Sequence, residues 1–152
     1  MKLIVGLGNP APKYFKNRHN AGFLLVDFLQ SLSLQNTLLE KSDVFMNSSG
    51  KSVQKFMQRH KVKLDNLYIA HDDLDLKLGD YKIQFATGPK LHNGVDSVEQ
   101  KLGTKNFWRI RIGVDARDSQ ARIAGEEYVL QDFDNSQLQI LQQTFKQIQD
   151  QL

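Results

Sequence analysis

No cysteine occurs in the 152 residues. That excludes a disulfide framework, a thiol nucleophile and a thiolate metal site, and it fits a reducing compartment. No apolar run approaches the ~18 residues of a membrane span. The N-terminus enters Lys2-Leu3-Ile4-Val5 with no separate apolar signal region or cleavage pattern, so the expectation is a cytoplasmic protein with no membrane partner. Proline is scarce: of three, Pro10 and Pro12 fall in the polar stretch from Gly8 to Asn20, which reads as a loop. Excess charge is also small. A net +3 with a pI near 9.1 admits an anionic partner but does not single out nucleic acid. The length suits one domain over residues 1–152, large enough to bury roughly 68–70% of its unfolded surface without a staple.

The apolar pattern supplies the elements. Leu3-Ile4-Val5, apolar on both faces and stopped by Gly6, predicts a central strand of a covered sheet. Leu24, Leu25, Phe28, Leu29 and Leu32 predict a helix over Phe23 to Leu32, and Thr37 to Leu39 a short strand. Val53, Phe56 and Met57 share a face of a helix from Ser48 to His60. His60, at its end, reads as a favourable charge at a helix C-terminus. Leu67 to Ala70 is a second apolar strand, expected to end at His71-Asp72-Asp73-Leu74-Asp75. Tyr81 to Phe85 alternates as a half-buried strand does. Asn93 is the expected cap of a helix closed by Gly103. In Phe107 to Val114, Trp108, Ile110, Ile112 and Val114 face one way, and Phe107, Arg109 and Arg111 the other. Leu138, Leu141, Phe145, Ile148 and Leu152 stripe a terminal helix. The order predicts an α/β fold: a single mixed, partly parallel sheet flanked by helices, a phosphorylase/hydrolase-like sandwich. Its polar residues collect where strands end, which is where open α/β sheets place their crevice.

Several motifs are weaker than they look. Gly6-Leu7-Gly8-Asn9-Pro10-Ala11 fits a dinucleotide-binding pattern, but Pro10 and Pro12 delay the helix that must open at once, and Asp27 lies inside a helical pattern. Ser49-Gly50-Lys51-Ser52 imitates the end of a phosphate loop, yet Phe45 stands where the first glycine belongs. Ser48-Ser49-Gly50-Lys51 fits an acyl-transferase nucleophile motif whose companions are missing; serines at a helix start explain it better. His71, Asp72, Asp73 and His92 are candidate metal ligands without helical zinc spacing, and a structural role for each histidine stands beside that reading.

The combination carries more than its parts. GLGNP (Gly6 to Pro10), RHNAG (Arg18 to Gly22), Phe45-Met46-Asn47, HDDLD (His71 to Asp75), His92-Asn93-Gly94 and RIRIG (Arg109 to Gly113) occur in this order. The chain resembles bacterial-type peptidyl-tRNA hydrolases over residues 1 to about 30 and 43 to about 115. The resemblance implies a monomeric α/β hydrolase, without metal or other cofactor, that cleaves the ester between a peptide and the 3′ end of tRNA. It implies that His19 is the base that activates water, a role an imidazole suits at neutral pH, and that Asp72 orients it. Asn9, Asn47 and Asn93 match substrate-binding asparagines, neutral donors that stabilise an oxyanion without suppressing the base. Tyr14 and Met46 would also touch substrate. Lys82 and Arg111 match segments that grip tRNA phosphate; Arg109 reads equally as part of a solvated sheet edge.

Some features depart from that family. The link from Phe28 to Phe45 lacks about 20 residues and should cost the sheet an element. The loop Phe85 to Leu91 has fewer glycines than usual and a proline, which bears on how it moves. Gln84 replaces a second lysine, Ala11 a glycine, and the C-terminal region is shorter. Two alternatives therefore accompany the hydrolase: a tRNA-end-binding module that has lost hydrolysis, and a nucleotide-binding enzyme.

Overall fold

The structure, a computed structural model, describes residues 1–120 and 123–152. Its centre is a five-stranded sheet in the order β2-β1-β3-β5-β4, built from β1 (Lys2–Gly6), β2 (Thr37–Lys41), β3 (Leu67–Lys77), β4 (Tyr81–Phe85) and β5 (Trp108–Asp115). The pairs β1–β2, β1–β3 and β3–β5 are parallel, and β4 runs antiparallel on β5. Helices α1 (Ala21–Gln30) and α5 (Asn135–Gln151) share one apolar core with Ile4, Ala70, Ile110 and Ile112. Helices α2 (Ser49–His60) and α3 (Asn93–Leu102) share a second with Leu3, Val5, Ile69 and Phe107. β1 and the Leu67 to Ala70 part of β3 thus contribute to both cores, as their unbroken apolar runs require. A short α4 (Gly125–Tyr128) precedes α5. None of the described helices is long and apolar enough to cross a membrane.

The mixed sheet and its flanking helices are those expected; several boundaries differ for local reasons. The polar stretch before α1 contains two 3₁₀ turns, Pro12–Tyr14 and Arg18–Asn20, and α1 opens at Ala21 rather than Phe23. More consequential, β3 does not stop before His71. It continues through HDDLD to Lys77 because β5 pairs along it, Asp72 opposite Ile112 and Asp73 opposite Gly113. Local polarity suggested a strand end; the neighbouring strand overrode it. Likewise α3 is capped by His92, not Asn93: His92 Nδ1 accepts from the Gly94 and Val95 N–H groups, and Asn93 is the first helical residue. His60 does sit at the end of α2, and its Nε2 lies 2.8 Å from Glu40 Oε1.

Two glycines allow the sheet and α1 to meet. A Cβ on Gly22 would lie 2.3 Å from the Ala70 carbonyl oxygen, and one on Gly6 2.4 Å from that of Gly22. The last residue of RHNAG is therefore small because the helix start lies directly on the end of β1 and on Ala70 within β3. Backbone on both sides leaves no room to relax. Gly22→Ala should cost about 1–3 kcal/mol by overpacking. A chemical-denaturation midpoint lowered at unchanged slope is the expected observation; an unmoved midpoint would contradict the close approach.

Candidate active site

At the carboxyl ends of the parallel strands lies a cleft of about 720 Å³. Its floor is Asp72, buried within β3 (2% exposed). A carboxylate so placed is costly unless both oxygens are satisfied. Here they are: Oδ2 lies 2.8 Å from His19 Nδ1 and Oδ1 2.7 Å from His92 Nε2. The two imidazoles come from opposite faces of the sheet, His19 from the 3₁₀ turn ahead of α1 and His92 from the cap of α3. Their rings stand 5.1 Å apart.

The hydrogen bonds fix the protons. Because His92 Nδ1 accepts from two backbone N–H groups, its proton sits on Nε2, which donates to Asp72. Neutral His19 donates from Nδ1 to the same carboxylate. Its Nε2, without a partner among the described residues, is left as an acceptor at the cleft wall. Burial pulls the His19 pKa down, but the charge and hydrogen bond of Asp72 outweigh it and the net shift is upward from 6.5. Burial would push the Asp72 carboxyl up; His19 first and His92 next hold it well below the usual carboxylate range. His71 is different. Fully buried and beside His92, it is lowered to about 3 and stays neutral; its Nδ1 lies 2.8 Å from the Asp72 carbonyl oxygen.

His19, Asp72 and His92 offer ligand atoms within 4.8 Å of one another, a grouping that shares Asp72 and His92 with the candidate metal ligands of the sequence but takes in His19 in place of His71 and Asp73. The α3 cap argues against that use. With Nδ1 engaged by two N–H groups, His92 has no lone pair on Nε2 for a cation unless the cap breaks. Long-range ¹H–¹⁵N spectra should find the Nε2–H tautomer at His92 and Nδ1–H at neutral His19. A zinc titration that moved His92 into the Nδ1–H form would overturn this reading.

The other expected residues divide. Asn9, Tyr14, Met46, Asn47 and Asn93 all line the cleft with His19 and Asp72. Asn9 Oδ1 accepts from the Met46 N–H, which leaves its amide nitrogen free to donate, and Met46 is buried beneath. Lys82 and Arg111 do not line the cleft; they are register partners on β4 and β5. Lys82 is exposed, but Arg111, expected to grip phosphate, is turned inward. Its Nε donates to Asp73 at 2.7 Å and one terminal nitrogen to Gln84 at 2.7 Å, with the residue 8% exposed. Arg109 is on no solvated edge: 1% exposed, it ion-pairs with Glu99 of α3 and donates to the Gly88, Lys105 and Phe107 carbonyls. The loop 85–91 is thus pinned at Gly88. Arg111→Ala would strand the buried Asp73 and should cost about 3–5 kcal/mol. Thermal or chemical denaturation would show it, and a near-wild-type midpoint would mean the pair is dispensable.

Sequence reasoning missed four parts of the site. His92 was considered only as a ligand or a structural residue. Asn20 fixes Asn9 by a reciprocal pair, Oδ1 accepting from Asn9 N–H at 2.9 Å and Nδ2 donating to its carbonyl at 3.0 Å. Arg18 is buried against Tyr128, 4.0 Å from the ring centre, and reaches Gln137 at 2.9 Å. The far wall, Ala124 to Leu130, packs there because the His19 N–H donates to the Val129 carbonyl and the Arg18 N–H to that of Gln131. Adjacency was the usable signal, of Arg18 and Asn20 to His19 within RHNAG and of His92 to Asn93; the partners they reach are long-range contacts.

A family model described as peptidyl-tRNA hydrolase matches residues 3–37 and 28–152. The chain belongs to the peptidyl-tRNA hydrolase family. The two matched segments overlap at residues 28–37, as they would in a member shortened between α1 and β2. The peptidyl-tRNA hydrolase of Maridesulfovibrio salexigens is 33% identical over 93% of this chain and 80% of that protein. That of Mycoplasma mycoides subsp. mycoides is 35% identical over 95% and 87%. The crystal structure of the Acinetobacter baumannii peptidyl-tRNA hydrolase superposes with a TM-score of 0.79 at 29% identity, covering 96% of this chain and 83% of that one. A [NiFe] hydrogenase maturation protease, HycI of Thermococcus kodakarensis, shares the fold alone, at 11% identity and a TM-score of 0.54.

Proposed function

We propose that this family member hydrolyses the ester between a peptide and the 3′ ribose of tRNA, returning free tRNA from aborted translation. The observation that carries the reading is the oriented His19: one ring nitrogen tied to a buried carboxylate, the other open to a cleft edged by asparagines. His19 Nε2 takes a proton from water as its oxygen adds to the ester carbonyl. Asp72 holds the tautomer and steadies the imidazolium, and His92 keeps Asp72 in place. The tetrahedral oxyanion is met by neutral amide donors from Asn9, Asn47 and Asn93. Collapse breaks the bond to the ribose 3′ oxygen, which recovers the proton from His19; the products are a peptide acid and a tRNA 3′ hydroxyl. Met46 and Tyr14 serve as walls. Lys82 is a phosphate contact, whereas Arg111, occupied by Asp73 and Gln84, acts chiefly by holding that surface together.

The test is release of peptide from peptidyl-tRNA by purified protein, with His19→Ala beside it. The variant should lose roughly 100-fold or more in turnover, the usual contribution of a positioned base, with little change in substrate affinity. Wild-type rates in that variant would remove His19 from the chemistry. Binding of tRNA without peptide release by the wild-type protein would instead favour the module that has lost hydrolysis.

The pH profile tests Asp72. His19 must be unprotonated to act, so the rate should rise with pH through a His19 pKa above 6.5. Asp72→Asn removes the charge that raises it and leaves the burial that lowers it. The acid limb should therefore move to lower pH while the plateau rate falls. A limb that stayed in place would assign it to another group.

A further inference from the structure

The cleft that holds the ester has no lysine or arginine in its described lining; its formal charges there, histidines apart, are Asp72 and Glu126. A polyanionic substrate must find its cations elsewhere, and Arg109 and Arg111 are both buried in ion pairs. A second groove, of about 260 Å³, adjoins the cleft and shares Asn47 with it. Its other lining residues are Ser48, Lys51, Ser97, Gln100 and Lys101. All are polar, two are cations and none is an acid. Both lysines are exposed and neither has an ion-pair partner among the described residues.

The packing explains why the two lysines flank one groove. Lys51 is on α2 and Lys101 on α3. Between them Gly50 brings the helices together: a Cβ there would lie 2.3 Å from the Ser97 carbonyl oxygen and 2.6 Å from Lys101 Cβ, and the Gly50 N–H donates to Ser97 Oγ at 2.9 Å. A glycine contact that draws two like charges toward one polar groove, with no acid to balance them, leaves a positive site open to an external anion.

We propose that Lys51 and Lys101 contact backbone phosphates of the acceptor strand of tRNA as it leaves the cleft past Asn47. This rests on the peptidyl-tRNA reading, and it gives that substrate a path over α2 and α3 in addition to the Lys82 surface. Lysine suits such contacts as a mobile point charge on a chain of variable sequence.

The experiment compares Lys51→Gln/Lys101→Gln with wild type in filter binding of deacylated tRNA over a range of salt. It is paired with KM for peptidyl-tRNA and for an N-acetyl-aminoacyl adenosine ester that lacks the strand. The double variant should bind tRNA at least tenfold more weakly, and its log–log salt slope should be shallower by about 1.4, the counterion release of two single-strand phosphates. KM should rise for peptidyl-tRNA far more than for the short ester, and Lys51→Arg/Lys101→Arg should restore tRNA affinity. Lys61→Gln/Lys63→Gln, beyond the other end of α2, removes the same net charge and should do little. Unchanged affinity and slope, or equal losses in the two glutamine variants, would overturn the proposal. Because the binding arm needs no hydrolysis, a wild-type protein that released no peptide would sink the hydrolase reading without deciding the fate of the groove.

Discussion

The Asp72 carboxylate is buried in the middle of a strand and held by two imidazoles, and most of the site's design follows from keeping it there. An unpaired buried carboxylate would take up a proton and could not orient anything. Two donors on separate oxygens prevent that. They also commit the fold to bringing α1 and α3, which lie on opposite faces of the sheet, to the same point on β3. Gly22 and Gly6 permit the first approach, and the His92 cap makes the second. The His92 ring serves twice. Its Nδ1 satisfies orphan N–H groups at the helix start, and that bond leaves the proton on Nε2 for the carboxylate.

Support spreads outward from this pair. Asn20 clamps Asn9 across the loop that follows β1, so the N-terminal motif and RHNAG form one unit. Arg18 stacks on Tyr128 and ties the turn carrying His19 to the segment before α5, the same segment that closes the cleft. Within RHNAG the residues thus divide the work. Arg18 docks the far wall, His19 faces the carboxylate, Asn20 holds Asn9, and Gly22 lets the backbone pass. Imidazole is needed at one of these positions only.

The cations show a similar division. Arginine, with its planar fork, fills the buried positions: Arg109 ties α3 and the 85–91 loop to β5, and Arg111 ties Asp73 to Gln84. Lysine remains at the surface, at Lys82 and around the groove between α2 and α3. Gln84 suits this arrangement, since its amide oxygen accepts from Arg111 where an ammonium would repel it.

Residue order alone specifies the α/β class, the succession of elements and the set of polar residues that meet at the cleft. Period-two and helical apolar spacing report burial directly, and short motifs report the residue types that the chemistry needs. Three matters fell to long-range packing. Whether HDDLD ends a strand depended on β5 pairing beyond Asp73. Whether Arg111 faces phosphate or an internal carboxylate depended on Asp73 and Gln84, each two residues beyond its register partner on a neighbouring strand, and alternation fixes a face but not its use. Whether His92 is a ligand, a cap or a partner of Asp72 depended on the direction of two backbone N–H groups. Each is decided by contacts between residues far apart in the chain, and such contacts leave no periodic trace in any one segment.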